Sequence, residues 1–184
     1  MNEEPIILIG PVFAGKSTVG KLLAEKLGWS FVSLDGLERG YIRSAGYDEA
    51  VVAAIREAEG PFAGYSYRRQ FFDTAVTQFL AEHHSGVLEL GGGHPIVPDP
   101  VKQERINQAL APFSRVVLLL PFPDPQDCIQ ALRPYQKPEH LKPDLNEILL
   151  ADDRFHRLAK YIFYTNGKTP TETCQEILNA LDFD

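Results

Sequence analysis

Gly10-Pro11-Val12-Phe13-Ala14-Gly15-Lys16-Ser17 is the stretch that decides how the rest of the chain is read. It fits the spacing G-x-x-x-x-G-K-[ST] and follows a short β-branched run, Ile6-Ile7-Leu8-Ile9. It precedes a segment in which Val19, Leu22, Leu23 and Leu27 fall on one helical face and Gly28 supplies the stop. The pattern predicts a strand buried on both faces, a tight turn, and a helix from Lys16 to about Leu27. Gly10 and Gly15 let successive backbone N–H groups point inward at phosphate oxygens, and the helix adds its positive N-terminal end. Lys16 then supplies a charge for the β- and γ-phosphates of ATP, and the Ser17 hydroxyl is an expected magnesium ligand. With Ala14 and Thr18 these residues form the expected nucleotide-binding set.

Short apolar runs alternate with helical patterns in both directions from this stretch. Phe31-Val32-Ser33-Leu34, Val87-Leu88-Glu89-Leu90, Val116 to Leu120 and Tyr161 to Thr165 read as further strands. Helices are expected over Asp48 to Glu59, about Arg69 to His84, Pro100 to Leu110, Pro125 to Leu132 and Leu145 to Ala159. A last one opens at Thr169-Pro170-Thr171-Glu172, a capping box with proline at the first helical position. Such alternation predicts an α/β fold of three layers, α/β/α, around a parallel sheet of about five strands, with ligands at the carboxyl ends of the strands. Arg133 to Asp144, with Pro134, Pro138, Pro143, Lys137 and Lys142 and hardly an apolar side chain, reads as a lid or exposed loop.

The 184 residues suit a single domain, 1–184, since domains hold roughly 100 to 200 residues. A net charge of -7 argues against a nucleic-acid partner, which needs a basic face. Glu3 and Glu4 stand where a signal peptide wants positive charge, and no apolar run reaches membrane-spanning length, so the chain is expected in the cytoplasm, off the membrane, as a monomer or homodimer. Cys128 and Cys174 match no zinc or redox spacing and read as packing residues.

A phosphate loop of this kind needs a carboxylate near its metal, and two residues qualify. Glu89 interrupts an apolar strand, where an unpaired charge is costly, so it requires a partner such as magnesium or a magnesium-bound water; a structural Arg or Lys is the alternative. Asp35, at the end of the second strand, is the other. Gly91-Gly92-Gly93 removes three side chains where the sheet meets its crevice, which suits close approach of a bound molecule. His94 reads as a loop residue, and the remaining histidines as solvated.

Taken together, Gly10 to Lys26, Phe31 to Asp35 and the glycine triplet resemble the shikimate kinase family of P-loop small-molecule kinases. The resemblance implies transfer of the ATP γ-phosphoryl group to a hydroxyl of a small carboxylated ring, with magnesium and a closing lid. It implies that Asp35 contacts the acceptor hydroxyl and that Gly92 and Gly93 line the acceptor site. Arg68, preceded by Tyr67, takes the place of the arginine that holds the substrate carboxylate, although Arg69 beside it could equally do so. Arg133-Pro134 resembles the opening of the lid, whose arginine reaches the phosphates, and Gly167 to Pro170 the loop that cradles adenine. The family's usual first aspartate after the second strand is Ser33 here. Its second substrate arginine falls at Asp152, with Arg154 and Arg157 the nearest cations. These departures leave two other readings open: a kinase of a sugar, cyclitol or nucleotide, and a nucleotide-binding regulatory module with weak ATPase activity.

Overall fold

The computed structural model describes residues 4–136 and 143–183. Five parallel strands, β1 (Ile6–Ile9), β2 (Phe31–Ser33), β3 (Val87–Glu89), β4 (Val116–Leu120) and β5 (Tyr161–Tyr164), form one sheet in the order β2-β3-β1-β4-β5. The central β1 pairs with β3 on one side and β4 on the other, so the chain diverges from its middle strand and opens a crevice beyond the carboxyl ends.

Alternation along the central strands builds two cores. Ile6, Leu8, Val87, Val117 and Leu119 face one layer with α1 (Lys16–Leu27) and α10 (Pro170–Ala180). Ile7, Ile9, Leu88, Val116, Leu118 and Leu120 face the opposite layer. There they meet α2 (Leu34–Ser44), α5 (Phe72–Glu82), α6 (Pro100–Leu110), α7 (Pro125–Leu132), α8 (Leu145–Leu149) and α9 (Arg154–Leu158). The three-layer α/β/α arrangement expected from the strand and helix alternation is therefore the one observed. Phe72, Phe79 and Phe155 are fully buried in the second core, where truncation to alanine costs about 3–5 kcal/mol each. Gly20 lets α1 lie close to the sheet: a Cβ there would sit 2.6 Å from the Phe31 ring and 2.9 Å from Leu8.

The main differences from the sequence reading fall in three stretches, each for a local reason. Leu34 does not extend β2 but opens α2, so Asp35 lies in the first turn of a helix. That helix was hidden because its buried face reads Leu34, Glu38, Ile42, with an acid at the centre of the apolar stripe. The pattern from Arg69 to His84 begins only at Phe72, after a turn in which the Gln70 and Phe71 N–H groups bond back to Tyr67 and Arg68. Before it runs α4 (Pro61–Arg69), preceded by α3 (Glu49–Glu59), whose cap is Asp48. The helix expected over Leu145 to Ala159 is interrupted: α8 ends at Leu149, and α9 restarts at Arg154.

In the lid-like stretch, Arg133–Tyr135 is a 3-10 turn continuing from α7, and Asp144 caps α8 by accepting from the Asn146 N–H. Residues 137–142 of that expectation lie outside the described residues. Both cysteines are buried and free, and burial raises their thiol pKa values, as packing residues require. Among the described residues no helix is long and apolar enough to cross a membrane.

Candidate active site

The loop after β1 owes its shape to two glycines. Gly10 has φ +140°, and a Cβ there would collide with the Leu119 carbonyl of β4, while Gly15 caps α1 with φ +88°. Phe13, at φ 68°, sits in the left-handed region that a bulky residue seldom adopts, at the exposed tip of the loop. Lys16 is buried, and its ammonium donates to the Pro11 carbonyl at 2.7 Å. Burial lowers its pKa from 10.5 to about 8 despite the attraction of Glu89 and Asp35. The tip is held from outside by Asn146 of α8, which is fully buried. Its Oδ1 accepts from Val12 N–H at 3.0 Å, and its Nδ2 donates to the Val12 carbonyl at 3.1 Å.

Glu89 ends β3 with its side chain buried, and it accepts from the Ser17 hydroxyl at 2.7 Å. The partner that its position in an apolar strand demands is thus a residue of the phosphate loop, not a structural Arg or Lys. Parallel pairing puts Ser33 of β2 directly opposite Glu89, so the two are lateral neighbours on one sheet face. Ser17 and Glu89 present hard oxygen donors that suit magnesium when the remaining positions are filled by water and phosphate oxygens. Among the described residues, no group of three or more His, Cys, Asp or Glu forms a metal cage.

The glycine triplet forms a wall without room for side chains. A Cβ at Gly91 would strike Asp35 and His94, one at Gly92 would lie 2.6 Å from the Val12 side chain, and one at Gly93 would strike the Tyr65 hydroxyl. Facing this wall, α2 offers Asp35, with its side chain 62% exposed, and the buried Glu38. His94 is buried between them, its Nε2 3.0 Å from Glu38 Oε2 and its Nδ1 3.4 Å from Asp35 Oδ1. Its ring lies 4.4 Å from that of Phe72. Arg68 Nε stands 3.2 Å from Glu38 Oε1, and the guanidinium lies over the Tyr65 and Phe72 rings. Burial by itself would raise the Glu38 pKa, yet the hydrogen bond from His94 and the charges of His94 and Arg68 hold it below the ordinary value. Burial pushes the Tyr65 phenol up to about 12, which keeps it a neutral donor.

The structure therefore brings Gly10, Ala14, Gly15, Lys16, Ser17, Glu89, Asp35, Gly92, Gly93 and Arg68 to one end of the sheet. It separates the two neighbouring arginines: Arg68 is part-exposed beside Glu38, whereas Arg69 is buried and donates to the Ile96 carbonyl at 2.7 Å. It also distinguishes Arg154, which donates to the Val97 carbonyl at 2.7 Å and is gripped by Asp152, from Arg157, which pairs with Asp153 on the surface. Arg133 takes a different course from that of a phosphate-reaching arginine. Its guanidinium pairs with Asp144 at 3.4 Å and Glu147 at 2.7 Å, because two carboxylates at the start of α8 face it. Thr18 lies in the first turn of α1, and Pro170 opens α10 behind the capping box formed by Thr169 and Glu172.

Glu38, Tyr65, His94 and Asn146 were not singled out from the sequence as site residues. A signal existed only for Glu38, as the acid at the centre of the apolar positions of α2.

A family model described as shikimate kinase matches residues 13–182. The chain is 32% identical over 188 aligned positions to a shikimate kinase of Streptomyces coelicolor, covering 99% of this chain and 98% of that protein. It is 30% identical to one from Francisella philomiragia, covering 98% and 96%. Among solved structures it resembles shikimate kinase from Acinetobacter baumannii in complex with shikimate, with TM-score 0.62, 26% identity, and coverage of 97% of this chain and 92% of that one. A gluconokinase from Sinorhizobium meliloti shares the fold at TM-score 0.50 and 17% identity, covering 99% and 94%.

Proposed function

The chain belongs to the shikimate kinase family, and from that premise we propose that the cluster at the carboxyl end of its sheet moves the γ-phosphoryl group of ATP to a ring hydroxyl of shikimate. One observation supports the acceptor side above others. The buried side-chain polar atoms without a hydrogen-bond partner among the described residues are Glu38 Oε1, Tyr65 Oη, Arg68 Nε, Arg69 Nε and His94 Nδ1. All five residues stand around the segment from Gly91 to Val97. The Arg68 to Glu38 and His94 to Asp35 pairs lie within ion-pair range but lack hydrogen-bond alignment. Each such atom costs about 1–3 kcal/mol when left unpaired, so their concentration in one wall fits a polar site whose hydrogen bonds tighten when a ligand binds.

The roles follow from the charges that develop. Phosphoryl transfer needs in-line placement and neutralisation of negative charge more than covalent help. The backbone N–H groups from Ala14 to Thr18 and the Lys16 ammonium hold the phosphates, Lys16 exchanging the Pro11 carbonyl for phosphate oxygens. Asp35, exposed and level with the triplet, accepts a hydrogen bond from the acceptor hydroxyl and orients it for attack. Arg68 offers its guanidinium to the shikimate carboxylate, and Gly92 and Gly93 let the ring approach the backbone. Ser17 and Glu89 would hold magnesium, directly or through a water; the ion, when bound, neutralises the phosphate oxygens. Glu89 thereby does from β3 what an aspartate at Ser33 would do from β2. Arg133, held by Asp144 and Glu147, is assigned an indirect role, bracing the base of the lid-like stretch. The reaction is placed in the cytoplasm, where ATP is supplied.

A screen of ADP release with shikimate, other ring acids, sugars, cyclitols and nucleosides tests this directly. Rapid ADP formation that depends on shikimate is the expected result. Turnover of a different acceptor with shikimate inert would overturn the substrate assignment, and slow acceptor-independent hydrolysis would favour a regulatory module.

A further inference from the structure

His94 is buried at the acceptor wall, and the chemistry above leaves it without a task. It is 3% exposed, packed at a tilt against the Phe72 ring, and wedged between two carboxylates of α2 that lie one helical turn apart. A desolvated imidazole in such a place needs its nitrogens occupied. Nε2 bonds Glu38 Oε2 at 3.0 Å, and Glu38, being an ionised acceptor, fixes a proton on that nitrogen. Glu38 is itself within ion-pair range of the part-exposed Arg68, so the ring is anchored on a buried carboxylate with a cation beside it.

Nδ1 is left facing Asp35 Oδ1 at 3.4 Å, and it is among the buried atoms with no aligned partner. Gly91 makes this approach feasible, since any side chain there would drive Asp35 and His94 apart. The arrangement sets Nδ1 beside Oδ1 of Asp35, whose side chain is otherwise largely exposed.

We propose that His94 is a positioning residue for phosphoryl transfer: with a proton on each ring nitrogen it donates through Nε2–H to Glu38 and through Nδ1–H toward Oδ1 of Asp35, so that Oδ2 points at the acceptor hydroxyl, with Glu38 and Arg68 fixing the ring. The inference rests on the assignment of Asp35 to the acceptor hydroxyl. It goes beyond that assignment by adding a residue that touches neither substrate, and it explains why a polar ring sits where an apolar one would fill the same space.

Two conservative substitutions separate the nitrogens. In His94→Asn the amide nitrogen falls near the position of Nδ1, keeping a donor toward Asp35 while losing Glu38. In His94→Gln it falls near Nε2, keeping Glu38 while losing Asp35. Positioning through Nδ1 predicts that Gln, like Ala, lowers kcat roughly 100-fold, the loss expected when a reacting group is misplaced by about 1 Å. The KM for ATP should stay unchanged, and Asn should restore most of kcat. The reverse order, Gln active and Asn inactive, overturns the proposal and makes His94 a structural partner of Glu38 alone. Equal kcat for Asn, Gln and Ala overturns it too.

Should these variants fail to fold, nitrogen NMR of the unsubstituted protein decides. A protonated Nδ1 whose resonance shifts on Asp35→Asn supports the assignment, and an unprotonated or unresponsive Nδ1 removes it. If shikimate is inert but another acceptor is phosphorylated, the variants are ranked on that acceptor, so failure of the substrate assignment and failure of the His94 role give different results.

Discussion

The two halves of the crevice are built on opposite principles. On the phosphate side the polar groups already satisfy one another: Lys16 bonds Pro11, Ser17 bonds Glu89, and Asn146 bonds both polar groups of Val12. On the acceptor side five buried polar atoms, drawn from α2, α4 and the segment after the glycine triplet, have no hydrogen-bond partner among the described residues. A site whose groups are paired holds its shape before its ligand arrives; a site whose groups are unpaired depends on the ligand to complete it. Substitutions on the phosphate side should therefore act on chemistry and resting stability together, whereas those on the acceptor side should act through the acceptor.

The largest effect is expected at Lys16. Lys16→Met should lower phosphotransfer roughly 1,000-fold by removing a charge that stabilises the transferring group. It should also raise the melting temperature. The folded pKa lies below the unfolded one, so the charged form is penalised in the folded state at pH values under about 8, and the penalty fades between about 8 and 10.5. A shift of this size corresponds to at most roughly 3 kcal/mol. Calorimetry showing a large loss of stability in this variant would refute the reading of a strained, buried ammonium.

Asp35→Asn comes next, with kcat down roughly 100-fold while affinity for an ATP analogue stays constant. Weakened nucleotide binding would instead place Asp35 on the phosphate side of the divide. Arg68→Ala should raise the KM for shikimate roughly 10- to 100-fold with a smaller change in kcat, as expected for a charged hydrogen bond to a carboxylate. An unchanged KM would shift the carboxylate to Arg69 or Arg154.

Glu89→Gln should increase the magnesium concentration needed for half-maximal rate by about 10-fold, and Ser33→Asp in the same chain should recover part of that loss. A magnesium titration in which the single and double variants coincide would show that the two strand positions are not interchangeable. The smallest effect concerns pH. Because free Lys16 is charged only below about 8, the Kd for an ATP analogue should weaken by up to about tenfold per pH unit above that value. A flat profile between pH 7 and 9 would show that another group carries the phosphate charge.

The same contrast decides what could be read from the amino-acid sequence. The phosphate side is written in eight consecutive residues whose turn, helix start and charge are all local, so α1, and with it the direction of the sheet, followed from them. Helices α6 and α7 were legible because each has proline at its first helical position and an aspartate cap. The acceptor side is assembled from segments near residues 35–38, 65–69 and 91–97 that meet only in the folded chain. Glu38 hid α2 by interrupting its apolar stripe, and nothing near His94 in sequence names its two carboxylate partners. Arg68 and Arg69 are chemically identical and adjacent, and only the helix rotation of α4 turns one toward Glu38 and the other toward Ile96.

Gly91, Gly92 and Gly93 set the direction in which this protein can evolve. A methyl group added at any of the three meets a different obstacle: Asp35 and His94, then Val12, then Tyr65. One wall of the acceptor crevice is consequently closed to mutation, since its positions touch the phosphate loop, Asp35 with His94, or Tyr65 of α4. The opposite wall, from α2 to α4, is made of replaceable side chains. A lineage drifting toward a new acceptor would accumulate its changes between residues 36 and 69 and carry the triplet through unaltered.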